Sequence, residues 1–290
     1  MKRKSIKFVP MTIQQANQRL LFQLYHVYDN REAANIADWV MEHITGWRKI
    51  DRILYKEVPL TPAKLRELEQ YGEQLAAEKP VQYVLQEAWF YAMKLFVNES
   101  TLIPRPETEE LAAWLIAVNK DSHLKTLDVG TGSGCLAIAI KKNLPDMVVY
   151  ACDISQSALE VAAKNAQAMG TPVSFLQFDF TNEHEREQAP EVDIIVSNPP
   201  YIPYKEKSSM RNNVTMFEPS IALFVDDDDP LVFYKAIAGF ATKKLSAGGN
   251  IFLETHEGFA AQTAQLFIEK GFSVEIRKDM QGKERMIRCS

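Results

Sequence analysis

Apolar positions along the chain fall into three successive regimes. From residue 12 to about 77 they recur at helical spacing. Ala33, Ile36, Ala37, Val40 and Met41 share one helix face, and Leu65, Leu68, Tyr71 and Leu75 share another. Thr61-Pro62 predicts the start of the later helix, because a hydroxyl caps its amides and proline needs no donor in the first turn. Over 81–97 the residues become aromatic and β-branched. Val81, Tyr83 and Leu85, then Trp89, Tyr91, Phe96 and Val97, predict a hairpin whose aromatics form its core. Pro104 and Pro106 then restrict the backbone. These changes predict a helical domain at 1–78, a hairpin and linker at 79–106 with the boundary near 98–106, and a larger domain at 107–290.

In the third regime strands alternate with helices. A helix at 107–119 precedes a strand at 126–129. A helix at 134–143 leads to a strand at 148–152. A helix from Gln156 ends at Gly170, before a strand at 173–178. Further strands are expected at 192–196 and 251–253, with a closing pair at 274–276 and 285–288. Such alternation predicts an α/β fold with a mostly parallel sheet covered on both faces.

Composition narrows the class. The chain has 290 residues, 46% hydrophobic and 24% charged, which excludes disorder and collagen-like repeats. The net charge of −5 conceals 14 basic against 11 acidic residues over 1–97, and 19 against 27 beyond. That balance weighs against a protein that coats nucleic acid. Cys135, Cys152 and Cys289 are too few and too scattered for a disulfide framework or a zinc site, so a reduced cytoplasmic setting is expected. No apolar run follows the basic start, and no window approaches a membrane span, so neither a signal peptide nor a membrane partner is expected. Lys2, Arg3, Lys4 and Lys7 read as a solvated tail. The five histidines lack metal spacing, and Asp226–Asp229 reads as a solvated loop rather than a cation site.

Two constellations carry chemistry. Leu127-Asp-Val-Gly-Thr-Gly-Ser-Gly134 is a strand entering a glycine turn and then a helix, so backbone and helix N-terminus can approach a ligand closely. Asp153, just past the next strand, is placed to accept from both hydroxyls of a ribose. The third glycine, Gly134, comes one residue early for a dinucleotide loop, where Cys135 stands, and no Walker lysine exists. S-adenosylmethionine, which has no pyrophosphate, fits this spacing better.

The second is Ser197-Asn-Pro-Pro-Tyr201, after an apolar strand. Two prolines stiffen it, so the Asn198 side-chain oxygen and the Pro199 carbonyl can each accept from a planar –NH2 group, with Tyr201 stacked on that plane. Such a nitrogen delocalises its lone pair and is a poor nucleophile. Holding both N–H bonds turns the lone pair toward a methyl donor, so positioning does most of the work and no strong base is needed.

Asp128–Gly134, Ala151–Ser155 with Ala158, Leu159 and Asn165, and Asp193–Ile202 resemble class I S-adenosylmethionine-dependent methyltransferases acting on planar amino groups. Val81-Gln-Tyr83, Leu102–Glu109 (Leu-Ile-Pro-Arg-Pro-Glu-Thr-Glu), Glu218-Pro219 with Ala222-Leu223, and Asp279–Arg285 more specifically resemble the PrmC/HemK family, glutamine methyltransferases of peptide chain release factors. The resemblance spans nearly the whole chain. It implies a Rossmann-like seven-stranded sheet, a small N-terminal helical bundle that helps grip the release factor, and a connecting β-hairpin. It also implies that Gly130, Thr131, Gly132, Ser133 and Gly134 line the methionine part of the cofactor, that Asp153 binds its ribose, and that Phe180 sits by its adenine. Asn198 would touch cofactor and substrate, and Asn198, Pro199, Pro200 and Tyr201 would hold the glutamine of a Gly-Gly-Gln loop. S-adenosylhomocysteine would be the product, from a cytoplasmic monomer without stable nucleic-acid binding.

The chain departs from the family pattern at Gln86–Ala88, Val225–Pro230 and Thr255-His256, which bear on docking of the protein substrate more than on chemistry. The catalytic segment also suits a ribosomal-protein glutamine or the exocyclic amine of a flipped-out adenine.

Overall fold

The computed structural model describes residues 10–120 and 123–290. The basic segment Lys2–Lys7 lies outside the described residues. By its internal contacts the chain divides into two compact units, 1–86 and 87–290.

The first unit is helical: α1 Ile13–Leu24, α2 Asn30–Thr45, α3 Lys49–Leu54, α4 Pro62–Ala76 and α5 Val81–Leu85. Thr61 caps α4 through its side chain, with Pro62 in the first turn. Ala33, Ile36, Ala37, Val40 and Met41 of α2 and Leu65, Leu68 and Leu75 of α4 are buried in one cluster with Ile13, Ala16, Leu20 and Leu24 of α1. Arg52 is buried as well, its guanidinium bonded to Asp38 and to the Trp47 carbonyl.

Residues 81–85 are helix rather than the first strand of a hairpin. Pro80, with its fixed φ, starts the turn: its carbonyl accepts from Tyr83 and Val84 amides at 2.9 and 3.1 Å. Val81, Tyr83, Val84 and Leu85 are all buried, which a two-residue period does not explain.

The hairpin is instead β1 Glu87–Phe90 and β2 Met93–Phe96, and it belongs to the second unit. Ala88, Phe90, Met93 and Leu95 point inward, while Trp89, expected in the hairpin core, is 57% exposed opposite Lys94. By internal contacts the hairpin groups with the second unit, and that division falls between Gln86 and Glu87. The reason is packing: Phe90, Met93 and Leu95 lie in the same apolar cluster as the sheet. The proline-bearing segment after it is also fixed, because the buried Glu218 carboxylate accepts from the Ile103 amide at 3.2 Å and from Arg105 at 2.6 Å.

The second unit continues with α6 Pro106–Val118, β3 Lys125–Val129, α7 Cys135–Asn143, β4 Val148–Asp153, α8 Gln156–Met169, β5 Ser174–Gln177, α9 Glu183–Arg186 and β6 Val192–Ser197. Then come β7 Ile202–Pro203, α10 Asn212–Phe217, β8 Phe224–Val225, α11 Val232–Lys244, β9 Leu245–Glu254, α12 Ala260–Ile268, β10 Val274–Lys278 and β11 Glu284–Cys289. Seven strands form one sheet in the order β10-β11-β9-β6-β3-β4-β5. β11 runs antiparallel to both neighbours, and the other pairings are parallel.

Side chains alternate across the sheet. Ile194, Val196, Phe252 and Met286 enter the cluster under α6 and α7, whereas Ile195, Ile251, Leu253 and Ile287 enter the cluster under α11 and α12. β9 begins six residues before the expected 251, at Leu245. A methyl on Gly249 would lie 2.7 Å from the Asp193 carbonyl, so glycine here permits close strand approach. Helix α11 buries Tyr234, Ala236, Ile237, Ala238, Phe240 and Ala241 on much of its circumference, whereas α12 buries Ala260, Thr263, Ala264 and Phe267 on one face.

Among the described residues no helix is long and apolar enough to cross a membrane. Three of the four aspartates at 226–229 take separate partners: Asp226 accepts from the Asp228 amide, Asp227 from the Lys205 amide and Asp229 from the Lys235 ammonium.

At the hairpin tip Tyr91 and Ala92 both take positive φ, 49° and 57°. A Cβ in that region costs ~1–2 kcal/mol, partly offset by the extra freedom glycine gives an unfolded chain. Ala92→Gly is therefore expected to stabilise the second unit by about 0.5 kcal/mol. Urea denaturation checks this, and an unchanged or lower midpoint contradicts it.

Candidate functional site

A cavity of about 270 Å³ opens at the carboxyl ends of β3, β4 and β6, where parallel sheets of this kind bind ligands. Gly130, Gly132, Asp153, Phe180, Asn198, Pro199 and Pro200 all line it. The sheet thus brings the two sequence constellations, about 70 residues apart, to one place.

The glycine turn is pinned to the neighbouring strand. Amides of Gly130 and Thr131 donate to the Cys152 carbonyl at 2.9 and 3.0 Å, and the Gly132 amide donates to Asp153 Oδ2 at 2.9 Å. Gly130, Gly132 and Gly134 have φ of 73°, 53° and 81°. Nothing lies within 4 Å of where a Cβ would stand on Gly130 or Gly132, so their backbone faces open room. Gly134 has another task. A Cβ there would meet Ala162 and Ile138 at 3.1 Å, so it lets α7 and α8 pack closely.

Thr131, Ser133 and Gly134 do not line the cavity. Thr131 turns inward, its hydroxyl donating to Asp128 Oδ2 at 2.7 Å. The Ser133 carbonyl accepts from Asn165 Nδ2 at 2.9 Å, and the same Asn165 amide exchanges two bonds with the backbone of Phe96.

Asp153 sits beside the glycine turn with Oδ1 accepting from the Ser155 amide at 2.9 Å. Burial raises its pKa, while the amides of Ser155, Gly132 and Ile154 oppose the rise. Each oxygen has a lone pair beyond its single bond. Phe180 is buried, stacked on Phe178 at 6.2 Å and edge-on to Phe240 at 5.3 Å, and with Phe178, Ile154 and Ala158 it gives the cavity an apolar side.

After β6, the Ser197 hydroxyl donates to the Val129 carbonyl at 2.7 Å, locking that strand end to β3. Asn198 Nδ2 donates to Thr108 Oγ1 at 2.9 Å, and Thr108 Oγ1 donates to Glu254 Oε2 at 2.6 Å. The Tyr201 hydroxyl donates to Glu254 Oε1 at 3.0 Å, and its ring does not line the cavity. Burial, with the neighbouring Glu254 carboxylate, raises the Tyr201 pKa well above that of an ordinary phenol. Sequence reasoning missed Thr108, Glu254 and Glu218 as parts of this site. Thr108 stood inside the quoted run 102–109, and Glu254 is an acid at the end of an apolar strand, which is a signal in itself.

The chain matches the family model described as Methyltransferase small domain over residues 111–220, and the one described as PrmC N-terminal domain over residues 22–85. It is 38% identical over 285 residues to the release factor glutamine methyltransferase of Flavobacterium psychrophilum, covering 97% of this chain and 99% of that protein. It is 37% identical over 265 residues to the enzyme of the same name from Bacteroides thetaiotaomicron, covering 91% and 95%. Among solved structures, a methyltransferase from Pyrococcus furiosus matches with a TM-score of 0.51 and 17% identity, over 69% of this chain and 89% of that one, a likeness of fold.

Under the glycine turn, burial pushes Asp128 up to about 7, against the pull of the Thr131 hydroxyl and the Ala137 amide. A carboxyl that titrates near 3.9 when unfolded then holds a proton in the native state over the intervening range. Its contribution to stability is greatest below pH 4, falls as pH rises through 7, and levels off above. Asp128→Asn is expected to remove that slope. Denaturation of both proteins from pH 4 to 8 checks it, and parallel profiles contradict it.

Proposed function

The chain belongs to the release factor glutamine methyltransferase family, and from that premise we propose that it methylates the side-chain amide nitrogen of the glutamine in the Gly-Gly-Gln loop of peptide chain release factors. S-adenosylmethionine is the methyl donor. The observation that carries this reading is the meeting of Asp153, the glycine turn and Asn198-Pro-Pro200 around one cavity. On this reading the enzyme works as a monomer in the cytoplasm, on a protein and on neither a membrane nor a nucleic acid.

The residues present fit the donor. The free lone pairs of Asp153 suit ribose hydroxyls, the Phe180 side suits an adenine, and the open backbone at Gly130 and Gly132 admits the methionine part. When bound, S-adenosylmethionine supplies a methyl group on a positively charged sulfur, open to in-line attack by nitrogen. Asn198 Oδ1 and the Pro199 carbonyl hold the two N–H bonds of the substrate amide and so orient its lone pair. The prolines keep these acceptors from relaxing, which places the cost of ordering in the folded protein rather than in each turnover. Tyr201 works from behind, through Glu254.

Labelled-methyl transfer offered to release factor, ribosomal proteins, DNA and ribosomal RNA tests the proposal. Label is expected on release factor and lost when its Gly-Gly-Gln glutamine is replaced; label only on another acceptor overturns it. Asn198→Ala is expected to lower kcat by roughly 10²–10³-fold, as for loss of one preorganised polar contact, with cofactor affinity nearly kept. Asp153→Ala is expected to weaken cofactor binding by about tenfold or more, the scale of a charged hydrogen bond; calorimetry showing equal affinity contradicts the ribose assignment.

A further inference from the structure

An asparagine amide can point either way, and only one way serves the chemistry above. The Oδ1 end must face the substrate to accept an N–H bond; the Nδ2 end would repel it. Local packing does not distinguish the two, since they have the same shape. The hydrogen-bond partner does.

That partner is Thr108, at the first turn of α6, 2% exposed and 2.9 Å from Asn198 Nδ2. A threonine hydroxyl has one hydrogen. Thr108 gives it to Glu254 Oε2 at 2.6 Å; burial raises the Glu254 pKa, and the Thr108 and Tyr201 hydroxyls and the Arg285 charge oppose that rise. The other oxygen of Glu254 accepts from Tyr201 at 3.0 Å, so donors converge on both sides of a carboxylate that is 1% exposed. The Arg285 guanidinium, 5.9 Å from the Tyr201 ring, supplies positive charge nearby. With its hydrogen committed, Thr108 can only accept from Asn198. A flipped amide would set oxygen against oxygen. No described residue donates to Asn198 Oδ1, and Asn198 lines the cavity.

We propose that Thr108 and Glu254 are positioning residues that fix the Asn198 amide with nitrogen inward and oxygen toward the substrate. The inference rests on the methyl-transfer reading above. Neither residue touches the reacting atoms; Glu254 sets the direction of the Thr108 hydroxyl, and Thr108 sets the direction of the amide.

The test uses the full chain. Thr108→Val keeps the shape and removes the hydroxyl, Thr108→Ser restores it, and Glu254→Gln offers one acceptor atom where two donors converge. Thr108→Val is expected to lower kcat for release-factor methylation about tenfold, the scale of one lost hydrogen bond. KM for release factor and cofactor affinity by calorimetry should stay within about twofold, and Thr108→Ser should recover most of the rate. A Thr108→Val enzyme with kcat within twofold of the parent overturns the proposal, as does a Thr108→Ser enzyme as slow as Thr108→Val. Should Thr108→Val fail to fold, Glu254→Gln is read by the same criteria.

A second arm needs neither substrate nor cofactor. In 15N-labelled protein, the side-chain NH2 pair of Asn198, identified by its absence in Asn198→Ala, should exchange slowly in the parent and in Thr108→Ser. It should exchange at least tenfold faster in Thr108→Val or Glu254→Gln. Equal exchange overturns the proposal. A parent protein that labels no release factor overturns the functional reading alone, and the exchange arm still decides the orientation.

Discussion

A carboxylate taken out of water survives only where donors converge on it. Three acids in the second unit meet that condition, two of them by drawing donors from distant segments. Glu218 takes Ile103 and Arg105, Glu254 takes Thr108 and Tyr201, and Asp279 takes the nearby Gln281, Lys283 and Arg285. Each is at most 6% exposed. The loops around the cavity are therefore not free to settle independently. Glu218 and Glu254 fasten segments more than a hundred residues apart in sequence.

This explains how loop residues attain the rigidity that methyl transfer to a weak nucleophile demands. Asn198 lies on a loop, where positions are ordinarily soft. It gains definition from three sides: Ser197 bonded to β3, two prolines after it, and Thr108 beneath its amide. The glycine turn is held likewise by Cys152 and Asp153 of β4. The parallel sheet aligns these strand ends, and the buried acids fix the loops that leave them.

Much of this was legible in the sequence. Ile194-Ile-Val196 and Ile251-Phe-Leu253 are apolar on both faces, as buried parallel strands must be, and the glycine turn and Asn-Pro-Pro segment announce their chemistry through backbone needs. What was not legible depends on contacts between distant residues. Val81–Leu85 alternates like a strand but is one helical turn begun by Pro80. Gly249 is a point of close approach to the Asp193 carbonyl, a need that only the strand pairing reveals. Trp89 is aromatic yet faces outward, because Phe90 takes the inward position. Thr108 and Glu254, 146 positions apart, become partners only once α6 lies over the end of β9.

Asn165 sets where the catalytic half can be cut from the rest. Its buried amide joins the backbone of Phe96 to the Ser133 carbonyl in the glycine turn. A fragment starting at the prolines after residue 103 would strip that amide of two of its three bonds and remove Phe90, Met93 and Leu95 from the core. Cut between Gln86 and Glu87, the hairpin stays with the turn it supports. The hairpin thus packs as the first structural element of the second unit.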